Sequence, residues 1–191
     1  VLQSNICVND CAYCAFRSNR DVRRATFSPD ELARAFDEMY RRDLVEGLFL
    51  SSGICGSAWH ATDRMLATVE LVRERYGFPG YVHLKVLPGA DMASIERSAQ
   101  LADRISVNLE APSARRLQAL TANKDYDHDL VGTMVRMQRA RQEVRHPVSM
   151  TTQFVVGPAG ESDRDLLGLS SSLYGKLGLA RAYYSAFQAV P

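Results

Sequence analysis

The sequence predicts an α/β fold of parallel βαβ units. Three observations lead there. Short apolar runs alternate with longer stretches whose apolar residues recur at helical spacing. The apolar runs end in small or polar residues, as at Ser51-Ser52-Gly53, Pro88-Gly89, Glu110-Ala111-Pro112 and Gly157-Pro158. The chain has 191 residues, 46% of them hydrophobic, which fits one domain with a substantial core. An open doubly wound sheet and a barrel both satisfy this pattern. Both place ligands at the C-terminal ends of their strands.

Each element has its own signal. Val1 to Asn5 reads as the last residues of a strand running into a cysteine-rich loop. Ser28-Pro29-Asp30-Glu31 combines an N-cap, a proline at the first helical position and a capping-box glutamate, so a helix runs to about Asp43. Val45 to Leu50 is a buried strand. A helix follows over about Asp63 to Tyr76, stopped by Gly77. The alternation continues with a strand at Tyr81 to Leu87, a helix at about Met92 to Leu101 and a strand at Arg104 to Leu109. A short helix at Ser113 to Leu120 and a polar loop from Thr121 to Asp127 precede a longer helix over about His128 to Val144. The last elements are a strand at Val148 to Val156, a helix at about Ser162 to Leu177 and a strand at Ala182 to Phe187. Met134 and Met137, at helical spacing, belong to the core.

Lys plus Arg total 23 and Asp plus Glu total 22, giving a net charge of +1. This balance singles out neither a nucleic acid nor a membrane as partner. No apolar run is long enough to span a bilayer and no signal peptide is seen. Both ends read as cut, so the chain is expected to be a fragment of a longer protein.

The chemistry gathers in Cys7-Val8-Asn9-Asp10-Cys11-Ala12-Tyr13-Cys14, where three of the four cysteines lie within eight residues. Three thiolates on one loop can converge on zinc, copper(I) or an iron–sulfur cluster. Zinc would normally take a fourth Cys or a His nearby, and none follows at short spacing. The count therefore points to a cluster with one iron left open, in a reducing, cytoplasmic compartment. The lone Cys55 reads as a packing residue, with a substrate-side ligand or hydrogen donor as the alternative. Arg17, Arg20, Arg23 and Arg24 form a basic loop just after the cysteines, either solvated or facing a phosphate-bearing substrate. His83 and Lys85 alternate on one strand and share a face. If that face is interior both need partners, with Lys85 a ligand contact or half of a structural ion pair. Trp59-His60 reads as a surface pair, with base stacking as the alternative.

The cysteine spacing, with an aromatic before the last Cys, resembles the CxxxCxΦC signature of the radical S-adenosylmethionine (SAM) superfamily. The resemblance covers the whole chain and implies a partial (β/α)6 TIM-like barrel, truncated at both ends, with residues 1–191 forming one radical SAM core domain. It implies that Cys7, Cys11 and Cys14 hold a 4Fe–4S cluster whose fourth iron takes the amino and carboxylate groups of SAM. It further implies that Tyr13 lines the adenine pocket and that Ser51, Ser52 and Gly53 stand where the family often has a Gly-Gly-Glu motif for the SAM amine. The Glu of that motif is absent. Asn108 and Glu110 match ribose or methionine contacts, Val156 and Gly157 match backbone contacts to adenine, and Lys85 is a candidate SAM-carboxylate contact. The implied activity is reductive cleavage of SAM to a 5′-deoxyadenosyl radical that abstracts a hydrogen atom, with electrons from a reducing donor.

Four blocks are similar to one group within the superfamily, the DNA modification/repair radical SAM proteins. These are Arg24 to Pro29, Glu46 to Gly53, His83 to Gly89 and Tyr183 to Phe187. That similarity implies a DNA substrate, contacted mainly through regions outside this chain, and a functional link to a uracil-DNA-glycosylase-like protein. A peptide or small-metabolite substrate, or a non-catalytic metal-binding module, are the alternatives.

Overall fold

The structure of the protein is a computed structural model and describes residues 1–189. Five strands lie parallel in sequence order: β1 (Gly47–Leu50), β2 (Tyr81–Lys85), β3 (Arg104–Ser106), β4 (Ser149–Val156) and β5 (Arg181–Ala186). Six helices connect and cover them: α1 (Pro29–Arg41), α2 (Ala58–Glu70), α3 (Met92–Leu101), α4 (Ala114–Gln118), α5 (Gly132–Glu143) and α6 (Asp163–Leu177). The sheet curls into a half barrel, the partial TIM-like architecture that the sequence predicts.

Local chemistry sets the helix ends. Ser28 Oγ accepts from the Glu31 N–H at 3.2 Å and the Glu31 carboxylate accepts from the Ser28 N–H at 2.8 Å, completing the capping box of α1. Ser162 and Asp165 repeat the device at α6, which ends on Gly178 in the left-handed conformation. The second helix starts earlier than its apolar periodicity predicts. Ser57 caps it by accepting from the His60 N–H, so Trp59 and His60 sit on its first turn, with Trp59 exposed. It runs on through a π-helical turn, Leu71–Arg75, to the expected stop near Gly77. A second π-helical turn, Tyr126–Val131, precedes α5. There Asp125 caps the turn through the His128 N–H at 2.7 Å, drawing the polar loop into the helix.

Side chains alternate across each strand. Leu48, Leu50, Val82, Leu84, Ile105, Met150 and Phe154 face outward and are buried under the helices, against Leu32, Phe36, Met65, Val69, Ile95, Met134 and Met137. Phe49, His83, Lys85, Ser106, Thr151, Gln153 and Tyr183 line the concave inner side. Burying each large apolar side chain contributes about 1.5–3 kcal/mol, so this outer layer holds the half barrel in register.

Residues before β1 pair with its end. The Gln3 N–H donates to the Ser51 carbonyl at 2.8 Å and the Ser51 N–H to the Val1 carbonyl at 3.2 Å. Gln3 is buried but fully engaged: its amide donates to the Phe27 carbonyl and accepts from Thr68 Oγ1. The third strand is shorter than its apolar run. Thr152 Oγ1 accepts from the Leu109 N–H at 3.1 Å and donates to the Val107 carbonyl at 2.8 Å, taking the place of backbone pairing with β4. Pairing resumes at Glu110, whose N–H reaches the Gln153 carbonyl at 3.0 Å.

Candidate active site

The cysteine loop is braced on both sides. The Val8 N–H donates to the Ile54 carbonyl at 2.9 Å, and the Ala12 N–H donates to the Leu120 carbonyl at 2.8 Å. Gly53 serves this packing directly: a Cβ there would run into the Ile6 carbonyl oxygen, and its N–H donates to the Ser4 carbonyl at 2.7 Å. The close neighbour that requires glycine here is thus the cysteine loop itself.

Arg24 closes the loop. Its guanidinium donates to four backbone carbonyls, those of Asn5, Phe16, Arg17 and Arg20, at 2.7 to 2.9 Å. Composition reads this stretch as a cluster of surface or phosphate-facing arginines. For Arg24 the structure differs, because its donors are used to fold the chain around the cysteines. Only a planar fork with five N–H groups can reach so many acceptors at once.

Cys7, Cys11, Tyr13 and Cys14 line one cavity of about 290 Å³ together with Ser51, Ser52, Gly53, Lys85, Asn108 and Glu110. Ten residues singled out in the sequence thus meet at one rim of the sheet. Val156 and Gly157 do not join them. Val156 packs against the core and the Gly157 N–H is taken by the Glu161 carboxylate. Val155, one residue earlier, faces the inner side beside Tyr13, Asn108 and Glu110 in an adjoining recess. Cys55 does not line the cavity either. Lys124 does, and no sequence signal marked it: it is one cation in a polar loop.

The cavity concentrates buried polar groups. Lys85 Nζ donates to Asn108 Oδ1 at 2.5 Å and forms no carboxylate pair within salt-bridge distance among the described residues, so the structural ion pair is not what holds it. Burial lowers its pKa from 10.5 to about 8, with Glu110 opposing the shift. Glu110 is buried at a positive φ of 64°, a strained conformation for a residue with a side chain. Its Oε1 stands 3.8 Å from Lys124 Nζ, while its Oε2 is buried without a hydrogen-bond partner. Lys124 Nζ donates to Tyr13 OH at 2.8 Å. Burial, then the Glu110 charge, push the Tyr13 phenol well above its usual range. Burial also raises the Cys14 thiol, against the lowering effect of the Phe16 N–H that donates to its sulfur at 3.4 Å.

The sequence profile of the Radical SAM superfamily matches residues 1–172. The chain belongs to the radical SAM superfamily. Solved structures agree in fold. The hydrogenase maturase HydG superposes with a TM-score of 0.79 at 15% identity, over 100% of this chain and 42% of that one. HydG from Carboxydothermus hydrogenoformans gives 0.74 at 16% identity, over 98% and 44%. Methylornithine synthase (PylB) gives 0.78 at 14% identity, over 98% and 52%. At these identities the likeness is one of fold, and this chain spans about half or less of those proteins. No curated protein matches the sequence.

Radical SAM proteins use a 4Fe–4S cluster and SAM, and the donor set here fits that pair. All four cysteines are free thiols. A cluster gives each thiolate its own iron, whereas zinc gathers its ligands around a single ion. The partnerless carboxylate oxygen of Glu110 and the ammonium of Lys85 are polar groups suited to a polar, zwitterionic ligand. Among the described residues no helix is long and apolar enough to cross a membrane.

Proposed function

We propose that this domain is the core of a radical SAM enzyme that acts on DNA or a nucleic-acid-derived substrate. The observation that carries the radical chemistry is the meeting of three cysteines with Lys85, Asn108 and Glu110 in one cavity. When bound, the cluster and SAM supply a carbon radical that takes a hydrogen atom from the substrate. Cys7, Cys11 and Cys14 hold the cluster. Ser51, Ser52 and Gly53 border the place of the SAM amine, and Lys85 offers a cation to a carboxylate. Asn108 and Glu110 present polar atoms to hydroxyl groups, and Lys124 fixes the Tyr13 ring beside the cysteines. The cavity walls, Ile54, Val86 and Leu87 among them, keep water away.

The nucleic-acid part of the reading rests on the four sequence blocks similar to the DNA modification/repair group. Two of them, Glu46 to Gly53 and His83 to Gly89, supply cavity residues. The proposal includes a reducing electron donor and a functional link to a uracil-DNA-glycosylase-like protein.

The test uses the full-length protein, reconstituted anaerobically with iron and sulfide and then reduced. It is expected to convert SAM to 5′-deoxyadenosine and methionine, and faster when DNA is added. Asn108→Ala and Glu110→Ala are expected to weaken SAM binding and keep the iron. Parent-like SAM binding by both variants would remove them from the site. SAM cleavage that DNA leaves unchanged would turn the reading to a peptide or small metabolite.

A further inference from the structure

Below the cofactor cavity the inner face of the half barrel carries a second recess of about 240 Å³. The two spaces share Lys85 and Asn108, so the recess lies next to any reactive atom held above it.

The inner face around the recess is basic, with Lys85 in the lining and Arg104 and Arg181 on the same face outside it. The five strands contain no Asp or Glu, yet they carry Lys85, Arg104 and Arg181. By register all three stand on the inner face. Arg104 and Arg181 have no carboxylate partner among the described residues. The Arg104 guanidinium lies over the Tyr81 ring, 5.7 Å from its centroid, and donates to Ser149 Oγ at 2.9 Å. Arg181 lies 5.8 Å from the centroid of Tyr183. Two guanidinium groups on a concave surface with no carboxylate paired to them make a field that attracts an anion.

The same face offers a flat apolar platform. The Phe49 and His83 rings stack at 4.3 Å and 16°, and Phe49, on the edge strand β1, is 47% exposed. His83 Nε2 pairs with Ser106 Oγ at 2.7 Å, which fixes its ring. Burial, then the charges of Lys85 and Arg104, lower its pKa to about 4, so the imidazole is neutral at pH 7 and stacks without adding charge. Aromatic platforms beside a basic groove are the means by which proteins bind single-stranded nucleotides without reading a duplex.

We infer that this inner face binds a nucleotide, its ring on the Phe49–His83 platform and its phosphate at Arg104 and Arg181. This deepens the proposed function and rests on it for the reaction, though the binding is separable from it. The nucleotide comes either as a free monophosphate or as a residue turned out of a DNA strand.

The test measures equilibrium binding of thymidine, thymidine 5′-monophosphate and a short single-stranded oligothymidylate to the full-length reconstituted protein. SAM cleavage is assayed on the same preparation. A phosphate-bearing ligand is expected to bind at least about tenfold tighter than thymidine, with an advantage that shrinks as salt rises. Arg104→Gln is expected to erase that advantage and Arg104→Lys to restore part of it. Phe49→Ala is expected to weaken all three ligands about tenfold. Iron content is expected to stay at the parent level in each variant. Tighter binding of the oligomer supports a strand as the source, and tighter binding of the monophosphate supports a free nucleotide. Equal binding of nucleoside and phosphate forms would overturn the inference. So would the absence of binding in a preparation that still cleaves SAM, and the proposed function would then stand. Nucleotide binding without SAM cleavage would sink the proposed function alone.

Discussion

The ammonium of Lys124 donates to the phenol of Tyr13 at 2.8 Å, across 111 residues of sequence. The same nitrogen stands 3.8 Å from Glu110, so one cation ties the cysteine loop to the end of the third strand. Both side chains of the Lys124–Glu110 pair are less than a tenth exposed. Removing the cation leaves a buried carboxylate without counter-charge. Lys124→Met is therefore expected to cost about 3 kcal/mol in urea denaturation, and Tyr13→Phe about 1 kcal/mol. A Lys124→Met protein as stable as the parent would show that Lys124 is no anchor.

Arg24 acts on the cluster through the fold of its loop. Arg24→Met removes a charged donor from four carbonyls and is expected to cost about 3 kcal/mol. Iron retained per chain after reconstitution is expected to fall well below the parent's. Arg24→Lys should recover only part of it, because an ammonium cannot span the four acceptors, and Arg23→Ala should match the parent. Full iron content in Arg24→Met would refute the bracing role.

Replacing any one of Cys7, Cys11 or Cys14 by Ala is expected to abolish cluster binding. Cys55→Ala is expected to leave it intact, since Cys55 lies outside the cavity lining. Iron and sulfide analysis decides between them. A parent-like content in Cys11→Ala would remove that residue from the ligand set.

Lys85 predicts opposite pH trends for stability and for binding. Its pKa is about 8 in the fold against 10.5 for the ordinary side chain. Between those values the unfolded chain holds the proton and the native chain does not, so the contribution of Lys85 to stability rises with pH across that window. Below about pH 8 the buried cation is a standing cost, and Lys85→Met is expected to stabilise the cofactor-free protein by about 2 kcal/mol at pH 7. Affinity for a carboxylate-bearing ligand goes the other way. It is expected to fall as pH rises through about 8, and to be about tenfold weaker in Lys85→Met at pH 7. SAM affinity that stays flat across that range would exclude Lys85 as the carboxylate contact.

Duplex DNA is expected to bind the present chain weakly or not at all, and the full-length protein measurably. A net charge of +1 leaves little general attraction for phosphates, and Arg24 spends its donors inside the loop. A base inside a duplex also cannot reach a concave recess without being turned out, at a cost of a few kcal/mol. A salt titration of binding by both forms checks this. Tight, salt-sensitive duplex binding by the present chain would refute it.

The sequence by itself determined the alternation of strands and helices, the capping box at Ser28, the sulfur count and the gathering of candidate residues at one end of the sheet. These are legible because they follow from local periodicity, from spacing and from residue chemistry that no neighbour can change. Only the tertiary structure decided what Arg24 and Lys124 do. Both are ordinary cations in polar stretches until backbone carbonyls or a distant phenol arrive to accept their hydrogen bonds. It also decided that the Val155 side chain faces inward and that of Val156 packs against the core, because side chains alternate along a strand. The charge of the inner face belongs to the same class. Lys85, Arg104 and Arg181 come from three separate strands, and only curling the sheet puts them on one surface without an acid among them.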